Sequence, residues 1–293
     1  MRIFDCTTYF NEPLIMDVRF NILNEHVTKF IIVESTYSHS GAKKKINFDK
    51  NLYPQFKDKI EHIIVEKEPE NILDTDNADM DINKRTNSIL RISLQRNEAL
   101  KACKEASEED YIFYSDNDEI PNFNEINFYK NKSKLIIFEQ KLFYYKFNLL
   151  NDRILWYGTK GTKKKYLKSI SDLRHIKPKK YPFWRIDTYF SNLKEISLDI
   201  IGDGGWHFTN IKTPEDLYIK MKNFGHHDEF DESKLTIEDL RKKIDDGLVF
   251  YDHFIDKKSE DKWKGNYKLK RIENHLLPDY LIKNQNNFKE WFK

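Results

Sequence analysis

The sequence predicts an α/β fold with a mostly parallel central sheet flanked by helices, because short apolar runs alternate with segments of helical spacing. Phe30-Ile31-Ile32-Val33, His62-Ile63-Ile64-Val65 and Tyr111-Ile112-Phe113-Tyr114 are each about strand length. Their near-continuous apolar character marks strands covered on both faces. A chain of 293 residues buries a sizeable core. Residues 1–254 are expected to form one domain, with 255–293 as a C-terminal helical extension packed on it.

Taken in order, Ile3-Phe4-Asp5-Cys6-Thr7 reads as the first strand, Asn11-Glu12-Pro13 as a turn, and Leu14, Val18 and Ile22 as a helix face. With the run at 30–33 this makes a βαβ unit, whose loops at the carboxyl ends of the strands are the usual ligand edge. Asn11, Glu12 and Glu34 lie there. After the third run, residues 66 to about 84 are polar and aperiodic, as in a long loop. Ile89, Ile92, Ala99, Cys103 and Ala106 then recur at helical spacing, and Arg96 shares their face. The fourth strand, 111–114, runs directly into Ser115-Asp116-Asn117-Asp118-Glu119-Ile120-Pro121. Residues 135–138 and 142–147 suggest two more strands, while 156–181 is Lys- and Gly-rich and carries no clear pattern. Past the turn Gly202-Asp203-Gly204-Gly205, Thr213 caps a helix that opens on Pro214, and another helix spans 236–247.

Lys plus Arg total 50 against 48 Asp plus Glu, a formal charge of +2 that gives no global field to attract nucleic acid. Lys43-Lys44-Lys45 and Lys163-Lys164-Lys165 therefore read as solvated loops. Aromatic residues make up 14% of a chain that is only 39% hydrophobic, so Phe and Tyr carry much of the burial. Cys6 and Cys103 are the only cysteines, too few for a disulfide framework or a structural zinc site. No apolar stretch approaches the roughly 18 residues needed to cross a bilayer, and the N-terminus lacks a signal-peptide core. The expectation is a cytoplasmic protein without a transmembrane segment; the sequence leaves the oligomeric state open.

Chemistry concentrates after the fourth strand. Asp116, Asp118 and Glu119 crowd one strand end, where mutual repulsion calls for a cation. Oxygen ligands suit Mg²⁺ or Mn²⁺, which bind one or two carboxylates together with phosphate oxygens. An exposed acidic turn is the plain alternative. A calcium loop is disfavoured because Ile120 and Pro121 stand where such a loop needs a ligand and a glycine. His207, after a glycine-rich turn and Trp206, is either a late metal ligand or a hydrogen-bonded sheet histidine. Arg96, on a largely apolar helix face, needs an anion: a structural carboxylate or a bound diphosphate.

Phe4-Asp5-Cys6, Phe10-Asn11-Glu12, Phe30-Ile31-Ile32-Val33-Glu34, Gln95-Arg96-Asn97, Ser115-Asp116-Asn117-Asp118-Glu119-Ile120-Pro121 and Gly205-Trp206-His207-Phe208 occur in this order. As an ordered set they resemble glycosyltransferase family 17, the β-1,4-mannosyl-glycoprotein N-acetylglucosaminyltransferase family, from the first strand to about Phe254. The resemblance implies a GT-A fold, an inverting reaction, a UDP-sugar donor (UDP-GlcNAc), a glycan acceptor, and Mn²⁺ or Mg²⁺. It places Asp118 on the metal, Asp116 toward the ribose or metal-bound water, and His207 as a metal ligand or phosphate contact. Asn11, Glu12, Glu34 and Asn117 would bind the nucleotide-sugar, Arg96 the diphosphate or donor sugar, and Lys220 and His226 phosphate. Inversion needs one carboxylate to take the acceptor proton, and Glu119 and Asp203 are the candidates. Unlike the animal enzymes, the chain shows no membrane anchor or lumenal targeting, so a microbial or viral glycan replaces their N-glycan acceptor in the expectation.

Three other readings compete: a transferase using another nucleotide-sugar, a sugar-binding module of the same fold without turnover, and a haloacid-dehalogenase-type phosphotransferase. The last needs its catalytic aspartate near the N-terminus, whereas this acidic pair lies mid-chain.

Overall fold

The apolar runs of the N-terminal half build a parallel core. The computed structural model describes residues 1–76, 80–225, 227–252, 254, 262–263 and 265–293. In chain order, β1 (Ile3–Tyr9), α1 (Pro13–Leu23), β2 (Lys29–Ser35) and β3 (Ile60–Val65) are followed by α2 (Met80–Glu98), β4 (Tyr111–Tyr114), β5 (Glu119–Pro121), β6 (Leu135–Phe138) and β7 (Gln140–Tyr144). Then come β8 (Leu149–Trp156), β9 (Lys160–Lys163), α3 (Ile170–His175), β10 (Leu198–Ile201), β11 (Gly205–Thr209), α4 (Pro214–Asn223), α5 (His227–Ser233), α6 (Ile237–Asp246), β12 (Lys270–Arg271) and α7 (Asp279–Lys283).

Two sheets result. The larger has seven strands in the order β10-β6-β9-β4-β1-β2-β3; every neighbouring pair is parallel except those made by β9. This is a mixed α/β protein with a largely parallel central sheet. Alternation along each strand feeds two apolar layers. Phe30, Ile32 and Phe113 face α1, while Ile31, Val33, Ile112 and Tyr114 face Ala99, Ala102 and Cys103. The smaller sheet, β12-β8-β7-β11-β5, has five strands and joins the larger one through the turn between β4 and β5. A third apolar cluster links α4 and α6 to Tyr144, Tyr145 and Trp263. Near the C-terminus, the Tyr280 hydroxyl donates to Asp17 of α1 at 2.9 Å, and Trp206 Nε1 donates to the Leu276 carbonyl at 2.7 Å.

Several elements differ from expectation. α2 starts at Met80, inside the stretch read as a loop to about Lys84. Its inward residues are Asn87, Ser88 and Gln95, and Gln95 Nε2 donates to the Val33 carbonyl at 2.8 Å. A helix buried through polar groups leaves little apolar periodicity to read. Ala99, Cys103 and Ala106 do not continue it, because the chain tightens into a 3₁₀ helix at Ala99–Glu105. The Lys- and Gly-rich stretch supplies β9 and α3, the latter capped by Ser169. The Thr213 cap sits where the sequence places it, and the helix expected over 236–247 is Ile237–Asp246, opened by a Thr236–Asp239 capping box.

Candidate active site

The carboxyl ends of β1, β2 and β4 meet along one edge of the larger sheet, and the acidic turn 115–118 lies between β4 and β5. Buried chemistry fixes this turn from below. Asp5 on β1 and Arg19 on α1 are both fully buried; Arg19 Nε donates to Asp5 Oδ2 at 2.8 Å and its NH2 to Asp5 Oδ1 at 2.5 Å. The same guanidinium donates to Ser115 Oγ at 2.7 Å and to the Glu119 carbonyl at 2.8 Å, with longer contacts to the carbonyls of Asn117 (3.3 Å) and Asp116 (3.4 Å). One arginine thus gathers three carbonyls of a tight turn onto a single buried cation.

The second sheet brings in the histidine. β11 pairs antiparallel with β5, setting His207 opposite Glu119, and the Phe208 amide donates to the Asp118 carbonyl at 2.8 Å. His207 Nε2 is then 3.4 Å from Asp118 Oδ1, and Lys220 Nζ from α4 is 3.3 Å from Asp118 Oδ2. Burial pushes the Asp118 carboxyl up, but Lys220 and His207 outweigh it and hold the group well below the usual carboxylate range. Burial likewise opposes charge on Lys220, yet Asp118 and Glu12 raise its affinity for the proton. The His207 ring lies against Trp156 with centroids 4.6 Å apart, and its buried Nδ1 has no hydrogen-bond partner among the described residues.

Asp116 has a different set of cations. Its Oδ1 accepts from the Tyr114 hydroxyl at 3.0 Å and from Arg96 at 3.4 Å, and its Oδ2 from Arg174 at 2.9 Å. Shielding from water works against ionisation, but Arg174 and Arg96 win and keep this carboxyl far below its ordinary value. Arg96 stacks on the Tyr114 ring, 5.4 Å from its centroid. Its anion is therefore a structural carboxylate, although the guanidinium also lines the cleft.

These groups open into one cavity of about 620 Å³. Glu12, Asp116, Asn117, Asp118, Arg96, Lys220 and His207 all line it, as the sequence places them. Glu12 is fixed by the amides of Phe10 and Asn11, at 3.2 and 2.9 Å, and by Asn117 Nδ2 at 2.7 Å. Burial raises its pKa, but Lys212 and Lys220 bring it below the usual value.

Four expected roles do not fit the geometry. Glu119 reaches the cleft wall, but its oxygens are already used: Oε1 accepts from Trp156 Nε1 at 2.6 Å and from Arg174 at 2.7 Å, and Oε2 from Arg174 at 2.8 Å and from the Asp116 amide at 3.0 Å. With no lone pair directed at an acceptor hydroxyl, it is a support for Arg174 instead of a base. Asp203 lies outside the cleft lining with its side chain 79% exposed, in a turn at φ 48°, paired with Lys141. Glu34 is fully buried behind the cleft, where it accepts from the amides of Asn47 (2.8 Å) and Phe48 (3.0 Å) and from Lys44, so it anchors the 44–48 loop. Asn11 is exposed and lies outside the cleft lining; its carbonyl accepts from Lys212 Nζ at 2.6 Å and its amide donates to Glu12. His226 falls outside the described residues.

Sequence reasoning missed Arg174, Arg19 and Lys212, and took Lys44 for a solvated lysine although it lines the cleft. For Arg174 the only local signal was Ser169 followed by Asp172, whose amide donates to the serine hydroxyl at 3.1 Å as in an N-cap. For Arg19 it was an arginine at helical spacing on a buried apolar face, the argument applied to Arg96.

A family model described as Glycosyltransferase family 17 matches residues 1–292. No curated protein matches. Among solved structures, HddC from Yersinia pseudotuberculosis is 13% identical, the match covering 69% of this chain and 91% of that one with a TM-score of 0.32. The same protein complexed with GMP-PN is also 13% identical, covering 74% and 96%, with a TM-score of 0.32. Likenesses that loose carry no argument. No helix among the described residues is long and apolar enough to cross a membrane.

Proposed function

Since this chain belongs to glycosyltransferase family 17 and is a glycosyltransferase, we propose that it is an inverting, GT-A-type enzyme. In this proposal it moves N-acetylglucosamine from UDP-GlcNAc to a glycan hydroxyl with Mn²⁺ or Mg²⁺. The observation that carries the reading is the meeting of Asp118 with His207 and Lys220 in a cleft that Arg96 also lines.

The donor set suits a divalent ion. Asp118 Oδ1 and His207 Nε2 are 3.4 Å apart, near the roughly 3 Å that separates adjacent ligands held at about 2.1 Å from an octahedral ion. No trio of His, Cys, Asp and Glu side chains converges among the described residues, so Asp118 and His207 would hold such an ion only together with ligands from outside the protein, such as phosphate oxygens and water. When bound, the ion offsets the charge that develops on the departing diphosphate. Lys220 adds a cation beside Asp118, Arg96 and Arg174 orient Asp116, and Arg96 with Lys220 would face the diphosphate with positive charge. Glu12, with Asn117 clamped to it, is a fixed acceptor for ribose or sugar hydroxyls. Tyr144, Trp156 and Phe250 give the cleft apolar surfaces that exclude water and cover sugar faces.

Incubating the protein with Mn²⁺ and a panel of UDP- and GDP-sugars, read by mass spectrometry, should show UDP-GlcNAc consumed in preference. Asp118→Ala should weaken UDP binding in Mn²⁺ by about 100-fold or more in calorimetry, since even outer-shell changes at metal sites cost about 10- to 100-fold. Unchanged UDP and Mn²⁺ affinity in that variant would defeat the reading, and glycan binding indifferent to both would favour a module without turnover. The Lys220 contact favours a second version, in which protein cations alone neutralise the diphosphate. Full turnover in excess EDTA would establish that version.

A further inference from the structure

Residues 177–194 form a loop closed at its neck, where the Lys177 amide donates to the Leu193 carbonyl at 2.9 Å. It leaves the cleft wall directly after α3, which carries Arg174 and the cleft-lining His175. Its polarity is inverted. Tyr181 is buried at the centre with the charges of Arg185, Lys179 and Lys194 over its ring, at 5.5, 5.8 and 5.9 Å from the centroid. Asp187 holds Arg185 at 2.7 Å and also pairs with Lys194. The apolar side chains point outward: Phe183 is 72% exposed, Trp184 69%, Ile186 72%, Tyr189 70%, Phe190 87% and Leu193 44%. Large rings left in water at such density within eleven residues are unfavourable unless something covers them.

Charge identifies the cover. Between 177 and 194 the chain carries Lys177, Lys179, Lys180, Arg185 and Lys194 against Asp187 alone, five basic groups to one acidic, in a protein whose formal charge is only +2. Lys177, Lys179 and Lys180 are themselves exposed. Aromatic side chains beside lysines suit the boundary of a lipid bilayer, where rings sit among headgroups and ammonium groups meet anionic phosphates. We propose that this loop is a peripheral membrane-docking element that inserts Phe183, Trp184, Ile186 and Phe190 into the interface of an anionic bilayer. It would hold the cleft beside the surface. Because the loop leaves from α3, docking sets the distance between the cleft and lipid-borne acceptors.

The test is sedimentation of the intact protein with sucrose-loaded vesicles of phosphatidylcholine alone or with 30% phosphatidylglycerol, a content of about this size being a chosen condition. Binding is expected to the anionic vesicles and to weaken with salt. Lys179→Gln with Lys180→Gln should lower partitioning by about 25-fold, or about fivefold per charge. The triple variant Phe183→Ser, Trp184→Ser, Phe190→Ser should abolish it, while its circular dichroism and its hydrolysis of soluble donor stay as in the parent. No sedimentation with anionic vesicles, or equal sedimentation of the triple variant, overturns the proposal. So does a concentration-dependent dimer that the triple variant loses while vesicle binding is absent, because the loop would then be a contact between copies.

Discussion

Replacing Glu119 by Gln separates a supporting carboxylate from a catalytic base. The wild-type group receives four hydrogen bonds, from Trp156 Nε1, twice from Arg174 and from the Asp116 amide, at 2.6 to 3.0 Å. A glutamine has one acceptor oxygen, and its NH₂ must face donors, so at least one Arg174 bond is lost along with the compensating charge. The two side chains are 1% and 13% exposed, and breaking a pair so withdrawn from water costs about 3–5 kcal/mol. Arg174 keeps Asp116 and the Gly158 carbonyl, which puts the loss near about 3 kcal/mol. At about 2 °C per kcal/mol for a large domain, the melting temperature should fall by about 6 °C. Scanning fluorimetry and urea titration measure this, and donor kinetics complete the assay. Loosened Arg174 should raise KM for the donor about tenfold, by about 1.4 kcal/mol of binding, while the acidic limb of the pH–rate profile persists. An unchanged melting temperature, together with a kcat reduced by about 100-fold or more and loss of that limb, would mean that Glu119 is the base after all.

The other predictions concern the frame around the acidic turn. A Cβ on Gly158 would lie 2.3 Å from the pinned Glu119 Cδ, so Gly158→Ala should destabilise by about 1–3 kcal/mol and weaken donor binding; parental values for both would show that the wall yields. Arg19→Met strands the buried Asp5 carboxylate and should cost about 3–5 kcal/mol, and adding Asp5→Leu should restore much of the stability. UDP affinity should stay low in the double variant, because the Asn117 carbonyl loses its Arg19 donor and the Glu119 carbonyl keeps only the Thr159 hydroxyl at 3.3 Å; recovery of affinity would deny Arg19 a part in shaping the turn. Lys160 is pushed down to about 7 by burial, with Arg174 beside it adding to the effect. An unfolded lysine keeps its proton to about 10.4, so between these values the unfolded chain binds more protons and stability should rise with pH. Urea titrations from pH 7 to about 9 should show that rise flattened in Lys160→Met, and an undiminished rise would contradict the assignment.

What could be read from the sequence follows how locally each feature is encoded. The strands β2 and β4 announce themselves through runs such as Phe30-Ile31-Ile32-Val33, since a strand covered on both faces needs apolar residues at every position, whereas the apolar run of β3 sits at the sheet edge and leaves Ile64 45% exposed. The cap at Thr213 is legible because cap and partner lie three residues apart. Asp116 and Asp118 could be named because acid crowding at a strand end is itself unfavourable, and such a conflict advertises its remedy, whereas His207 could be named through the family resemblance of Gly205-Trp206-His207-Phe208. The cations that resolve the conflict were less visible. Arg174 and Lys44 stand among many basic residues, and only the fold decides which one turns inward. Arg174 does so because α3 follows β9, whose antiparallel insertion beside β4 brings it within reach of Asp116 and Glu119.

The misplaced carboxylates have the same origin. Glu34 ends a strand beside the ligand edge and resembles a site residue in sequence, yet the amides of Asn47 and Phe48 fold over it and make it an anchor. Asp203 follows a Gly-rich approach to His207, but the φ of 48° at that turn carries its side chain out to Lys141. In both cases the residue type was informative and its direction was set by contacts far along the chain. The consequence for the chemistry is specific. Asp116, Asp118 and Glu119 are each committed to protein cations or donors before any ligand arrives. A ligand entering the cleft therefore meets Arg96 and Lys220 already held in place by those acids, with Arg174 bracing Asp116 and Glu119 behind the lining, and such fixed positive groups are what a diphosphate requires.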